Sequence, residues 1–216
     1  MIAIRDVLQR PEERYYMEGT QGRRYESHAY VLAVIPPKTY LRDPRPRGTT
    51  VVQAVGESLL TLLELVPMRG VTIRPQERVS IERGPSSKID RVLRRVTYAD
   101  LAPEASAELP LVIEMIVTKH EQKYVQFFNE AQPITTRMHS LQLLPGVGQT
   151  LMWALLEERK KEPFKSFDDI AARTKLQNPK KAVTARIIEE IQEDVKRWLF
   201  VRPPPRDDEW ERDRAR

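Results

Sequence analysis

The sequence predicts an α+β protein in two parts, a small antiparallel β-barrel of the OB or S1-like kind over residues 29–98 and an all-helical domain over residues 99–202. Three observations lead there. Short apolar runs at strand period, separated by turn residues, fill residues 29–98; after Tyr98 the period turns helical; and Leu144-Pro145-Gly146-Val147-Gly148 sits between apolar segments in phase, with a second helical pair downstream.

Residues 1–28 alternate short apolar patches with charge and glycine, which predicts a loosely held arm. The strand candidates are Ala29–Ile35, Thr50–Val55, Leu59–Val66, Arg78–Ile81 and Val92–Tyr98. The last is ambiguous, because Ile89, Val92, Leu93 and Val96 also fit helical spacing. Five short strands ahead of the helices favour the barrel, with a β-sandwich or an α+β sheet as the alternative. Beyond Tyr98, Leu109, Val112, Ile113, Ile116 and Val117 form a helical stripe, with Pro110 tolerated in a first turn. Glu121–Ala131 reads as a second helix presenting Tyr124, Val125 and Phe128. Pro133 opens a third, which turns Ile134, Met138 and Leu141 inward. Two helical pairs follow, over about 132–161 and 164–200, the last helix carrying Ala182, Ile187, Ile188, Ile191, Val195 and Leu199. Residues 203–216 carry four Arg against five Asp/Glu and little apolar content, a disordered tail by composition.

The string Leu144, Pro145, Gly146, Val147, Gly148 is the clearest binding element. Glycines on both sides of Val147 allow positive φ and let backbone N–H groups approach a phosphate, while Val147 pins the turn to the core. Gln149 and Thr150 then open a helix whose first-turn N–H groups and dipole favour an anion. Such contacts position a backbone and read no base edge. A tight turn between helices, without a ligand, is the alternative. In the second pair Ser166 suits the N-cap of Phe167–Arg173. The turn at Leu176–Lys181 lacks the glycines but offers Asn178 as N-cap, Pro179 at the first helical position, and Lys180 and Lys181 beside the exposed N–H groups.

Phe127-Phe128-Asn129-Glu130-Ala131, the run from His139 to Gly148, Met152–Lys160 and Pro163–Ile170 together resemble an uncharacterised archaeal protein family. The likeness covers roughly residues 29–202 and is tightest from Glu121 to Ile170. Members are described as RNA-binding proteins with an OB-like barrel ahead of a tandem helix-hairpin-helix, and their genes tend to lie among translation genes. The resemblance therefore implies RNA more than DNA, and the ribosome or its assembly intermediates as partner. Members often carry two lysines after the hairpin, where this chain has Gln149 and Thr150; Thr150 can still donate a hydrogen bond.

Charge adds two further candidates. The loop Lys38–Arg47 holds four cations, Lys38, Arg42, Arg45 and Arg47, against Asp43, a composition suited to single-strand or structured-RNA contact. Residues 69–95 carry eight Lys/Arg against three acids, which would give the barrel a basic face if they converge. The chain as a whole has 36 Lys/Arg and 31 Asp/Glu in 216 residues, a net charge of +5 that permits a polyanionic partner without demanding one.

Cysteine is absent, which removes disulfides, thiolate metal sites and cysteine nucleophiles. His28, His120 and His139 lack metal-ligand spacing, adjacent acids such as Glu157-Glu158 cannot face one another on a helix, and no phosphate-binding loop or dinucleotide fingerprint occurs. No cofactor and no catalytic set is expected. No secretory leader or run of ~20 apolar residues is visible, so the expectation is cytoplasmic, with no membrane partner. The function expected is non-enzymatic binding of structured RNA. A DNA-binding accessory factor and a protein-interaction scaffold of the translation or transcription machinery are the alternatives.

Overall fold

Aliphatic and β-branched residues occupy both parities of β1 (His28–Ile35), β2 (Val51–Gly56) and β3 (Leu62–Pro67), and these strands are buried along nearly their whole length. Continuous apolar sequence is what a sheet covered on both faces requires. β4 (Arg78–Ser80) and β5 (Ile89–Arg95) are more exposed, as suits edge strands. The computed structural model describes residues 25–37, 50–82, 84, 87–192 and 195–201. Most of the expected N-terminal arm, the loop bearing Lys38, Arg42, Arg45 and Arg47, and the expected tail lie outside the described residues.

The five strands form one antiparallel sheet in the order β4-β1-β2-β3-β5. Register shifts between Val31 and Ala33, and at two places along β3–β5, interrupt the ladder. Bulges of this kind add local twist and let a sheet curl. Among the described residues β4 and β5 do not pair, so the sheet stays open as a half-barrel. β5 begins at Ile89, three residues before the expected strand, and Tyr98 starts a short 3-10 turn.

The two faces of the sheet feed two apolar clusters. Ala29, Val31, Val52, Ala54, Leu63 and Leu65 pack on one side with Val79 and Ile89. Tyr30, Leu32, Val55 and Leu62 point the other way, into a core shared with the helices. The join is reinforced by a buried polar chain. Gln53 Oε1 accepts from Ala102 N at 2.8 Å, and its Nε2 donates to Asp100 O at 3.0 Å and Glu64 Oε1 at 3.3 Å. Glu64 also takes Arg94 Nε at 2.8 Å. Ala102, the N-cap of the first helix, has no polar side chain to cap its first turn, and its own backbone N–H donates to Gln53 of the sheet.

α1 (Pro103–Lys119) buries the expected stripe of Leu109, Val112, Ile113, Ile116 and Val117. It starts earlier than expected, which places Pro110 inside the helix and not in its first turn; Pro110 is exposed, so the carbonyl it leaves unpaired can meet water. α2 (Glu121–Glu130) follows after a corner at His120. The expected helix from Pro133 is absent. Residues Pro133–Thr135 (β6) and Met138–His139 (β7) form a small hairpin, then Ser140–Leu143 makes a 3-10 turn. Ile134, Thr135 and Thr136 are β-branched, and the backbone and hydroxyl of Ser140 both donate to Gln132 O. Leu141 is buried as expected, but Met138 is 41% exposed.

α3 (Gln149–Lys161), α4 (Phe167–Arg173) and α5 (Pro179–Ile191) complete the helices of the described residues. α5 packs on α1, and α1 on β1. α5 stops at Ile191, well short of the expected run to Leu199. The stop has a visible partner: buried Glu190 accepts the backbone N–H groups of Leu199, Phe200 and Val201 at 2.8–2.9 Å and Arg186 Nε at 2.8 Å. Phe200 then seats edge-on against Tyr124 and Phe127. No helix among the described residues is long and apolar enough to cross a membrane.

Candidate nucleic-acid interface

Leu144 and Val147 are buried, at 2% and 4% exposure, and anchor the turn between them. Val147 N donates to Leu144 O at 3.0 Å, with Pro145 second and Gly146 third at φ 83°. Proline followed by a positive-φ glycine is the type II pattern. Gly148 has φ −80° and ψ 179°, ordinary extended backbone. Of the two glycines expected to allow positive φ, Gly146 adopts it and Gly148 does not. At both positions the space a Cβ would occupy is empty, and both residues face solvent.

Gly148 is the N-cap of α3 and supplies no side-chain hydrogen bond to its first turn. Gln149 and Thr150 stand exposed at that start. One turn on, Trp153 is 54% exposed, on the same face as Gln149. Periodicity hid this residue, because its neighbours Met152, Leu155 and Leu156 are buried and a tryptophan among them reads as core. Below the turn, His139 Nδ1 accepts from Leu141 N at 3.1 Å, so that nitrogen carries no proton; burial, with Arg159 nearby, holds the ring below its usual pKa.

The second turn is built differently. Ser166 caps α4 by accepting from Asp169 N, and Asn178 caps α5 by accepting from Lys181 N at 2.9 Å, both as the sequence suggested. Pro179 is buried. Lys180 reaches Glu114 of α1 at 2.9 Å and Lys181 is exposed. The two turns are therefore both present, but only the first leaves its helix start open.

Several arginines are committed to the chain's own backbone. Arg159 donates to Phe128 O and Ala131 O at the end of α2. Arg173 donates to Glu158 O and Glu162 O at the end of α3 and stacks over Phe164. The segment between α3 and α4 is fastened to α2, where Asn129 exchanges two hydrogen bonds with the backbone of Phe164 and Glu121 accepts from Phe167 N.

Four of the eight cations expected to give residues 69–95 a basic face meet acids. Arg78 pairs with Glu57, Lys88 with Glu77, Arg91 with Asp90 and Arg94 with Glu64. Glu57 and Glu64 lie outside that window of sequence; antiparallel register sets Glu64 directly opposite Arg94. Glu57 forms a second concentration of charge that linear reading missed, since its partners Arg78, Lys119 and His120 lie far from it in sequence.

The comparisons with known proteins cover most of the molecule. Residues 25–202 match a family described as a protein of unknown function, DUF655. The uncharacterized protein MJ0038 of Methanocaldococcus jannaschii is 37% identical over 193 residues, spanning 88% of this chain and 87% of that one. The crystal structure of Af1531 from Archaeoglobus fulgidus, of the same family, superposes with a TM-score of 0.74 at 47% identity, covering 82% of this chain and all of that one. With its fold and most of its length matched by these archaeal proteins, the chain belongs to the DUF655 family.

Proposed function

We propose that the protein binds the phosphate backbone of structured RNA, ribosomal RNA included, without catalysing a reaction. In this reading Leu144–Thr150 acts as a helix-hairpin-helix and the half-barrel serves as an OB-like platform beside it. The observation that carries the reading is the open start of α3: Gly148 supplies no cap, whereas the next two helices are capped from within the chain. Uncapped N–H groups at the positive end of a helix suit a phosphate oxygen. Exposed Trp153, one turn away, adds a face on which an unpaired base can stack. The family resemblance favours RNA over DNA. Lys181 and the loop holding Lys38, Arg42, Arg45 and Arg47 would supplement the contact, while Lys180 is held by Glu114.

The test is filter binding of the full chain to ribosomal RNA fragments and to a DNA duplex of matched length, across a salt series. RNA binding that weakens with salt is expected. Gln149→Lys should strengthen it and steepen the slope of log K against log salt by about 0.7–0.9. Preference for the duplex would instead assign a DNA accessory factor, and salt-insensitive or absent binding to both would leave the interaction scaffold.

A further inference from the structure

One buried carboxylate is shared by three basic side chains. Glu57, just past the end of β2, keeps 7% of its side chain exposed. Its Oε2 accepts from Arg78 Nε at 2.8 Å and Nη2 at 2.7 Å. Its Oε1 accepts from Lys119 Nζ at 2.8 Å and lies 2.9 Å from His120 Nε2, which must carry the proton because a carboxylate only accepts. Lys119 also donates to the Tyr30 hydroxyl at 3.0 Å. Residues from β1, β4 and the α1–α2 corner thus meet at one end of the sheet. Burial pushes the Glu57 carboxyl up, but the hydrogen bonds from Arg78, Lys119 and His120 outweigh it and bring its pKa down to about 2. It is charged at neutral pH.

Elsewhere on the sheet Lys88 pairs with Glu77, Arg91 with Asp90 and Arg94 with Glu64. At Glu57 a single negative charge faces Arg78 and Lys119, so the cluster is net positive even with His120 neutral. The neighbouring Glu26 and Lys123 offset one another. Arg78, Lys119 and His120 remain 40%, 45% and 38% exposed. Arg78 has five N–H donors and Lys119 three, and Glu57 and Tyr30 occupy only part of them. Sheet and helices already share an apolar core here, so packing does not need the extra cations.

We propose that Arg78, Lys119 and His120, held in place by Glu57 and Tyr30, form an oxyanion site for a phosphate group. A planar guanidinium beside an ammonium and an imidazole offers charge-assisted donors that match phosphate oxygens. A nucleotide phosphomonoester and a phosphodiester of a nucleic-acid backbone share this chemistry. The site uses none of the hairpin residues, so it stands or falls independently of the hairpin reading.

The experiment follows the Arg78 Nε and His120 ring signals of the full chain by NMR. Inorganic phosphate, a 5′-mononucleotide and a dinucleotide with a single internal phosphodiester are titrated at constant ionic strength, with chloride as control. Saturable shifts in the millimolar range are expected. Lys119→Gln should weaken binding about ten-fold, whereas Lys88→Gln, which opens an ion pair outside the cluster, should leave it unchanged. Tighter binding of the mononucleotide assigns a monoester ligand, and equal or tighter binding of the dinucleotide assigns a nucleic-acid backbone. Absence of saturable shifts in the wild-type chain, reproduction of the shifts by chloride, or unchanged affinity in folded Lys119→Gln overturns the proposal. Arg78→Gln, checked by circular dichroism, repeats the test should Lys119→Gln fail to fold.

Discussion

The starts of α3 and α5 each follow a turn, yet one is capped by a side chain and the other is not. At α5, Asn178 caps the first turn, Pro179 is buried and Lys180 is tied to Glu114. At α3, Gly148 leaves the first turn uncapped, with Gln149, Thr150 and Trp153 exposed around it. Helix starts must satisfy their leading N–H groups from side chains, water or a ligand. The chain caps one start with its own side chain and leaves the other to solvent.

The largest expected effect lies at the far end of α5, where the closed region depends on Glu190. Glu190→Ala removes the acceptor of three backbone N–H groups and leaves Arg186 buried without it, so unfolding stability should fall by about 3–5 kcal/mol. Chemical denaturation measures this, and a loss below about 1 kcal/mol would mean that the segment 199–201 is held by Phe200 packing alone.

Gly146→Val forces a β-branched residue to φ 83° and should cost about 1–3 kcal/mol while weakening RNA binding in the fraction that stays folded. Stability equal to wild type in a melt would show that the turn readily takes another shape. Asn178→Ala opens the closed start and should cost about 1 kcal/mol with RNA affinity unchanged. A parallel loss of affinity would make the second turn a contact as well, erasing the contrast.

Gly148→Asp does the reverse. Its φ and ψ already suit an N-cap and the Cβ position is free, so a carboxylate there should cap α3 and add a few tenths to about 1 kcal/mol. RNA affinity should fall, because the same N–H groups are then occupied by a negative charge. Gain in melting temperature with affinity unchanged would remove α3's start from the interface.

Much of this was readable in the linear sequence. Local rules sufficed for the strand cores of β1–β3, the α1 and α2 stripes, the caps Ser166 and Asn178, and the turn Leu144–Gly148, since each is decided by residues a few positions apart. The small hairpin at 133–139 escaped because Pro133 suits a helix start as well as an edge strand, and the β-branched residues after it decided otherwise. Trp153 escaped because a helical stripe read from sequence does not locate its own boundary to within one residue.

Composition and periodicity by themselves determined an α+β chain with five short strands ahead of its helices, and a proline–glycine turn ahead of α3. Tertiary structure alone decided that the sheet remains open among the described residues, that sheet and helices share one core, and that Arg78, Lys88, Arg91 and Arg94 meet acids. It also decided that Glu57 gathers Arg78, Lys119 and His120. The physical reason is range. Propensity, capping and turn chemistry act within a few residues of chain, whereas burial and ion pairing depend on distances of a few ångströms in space, which a sequence acquires only once it is folded.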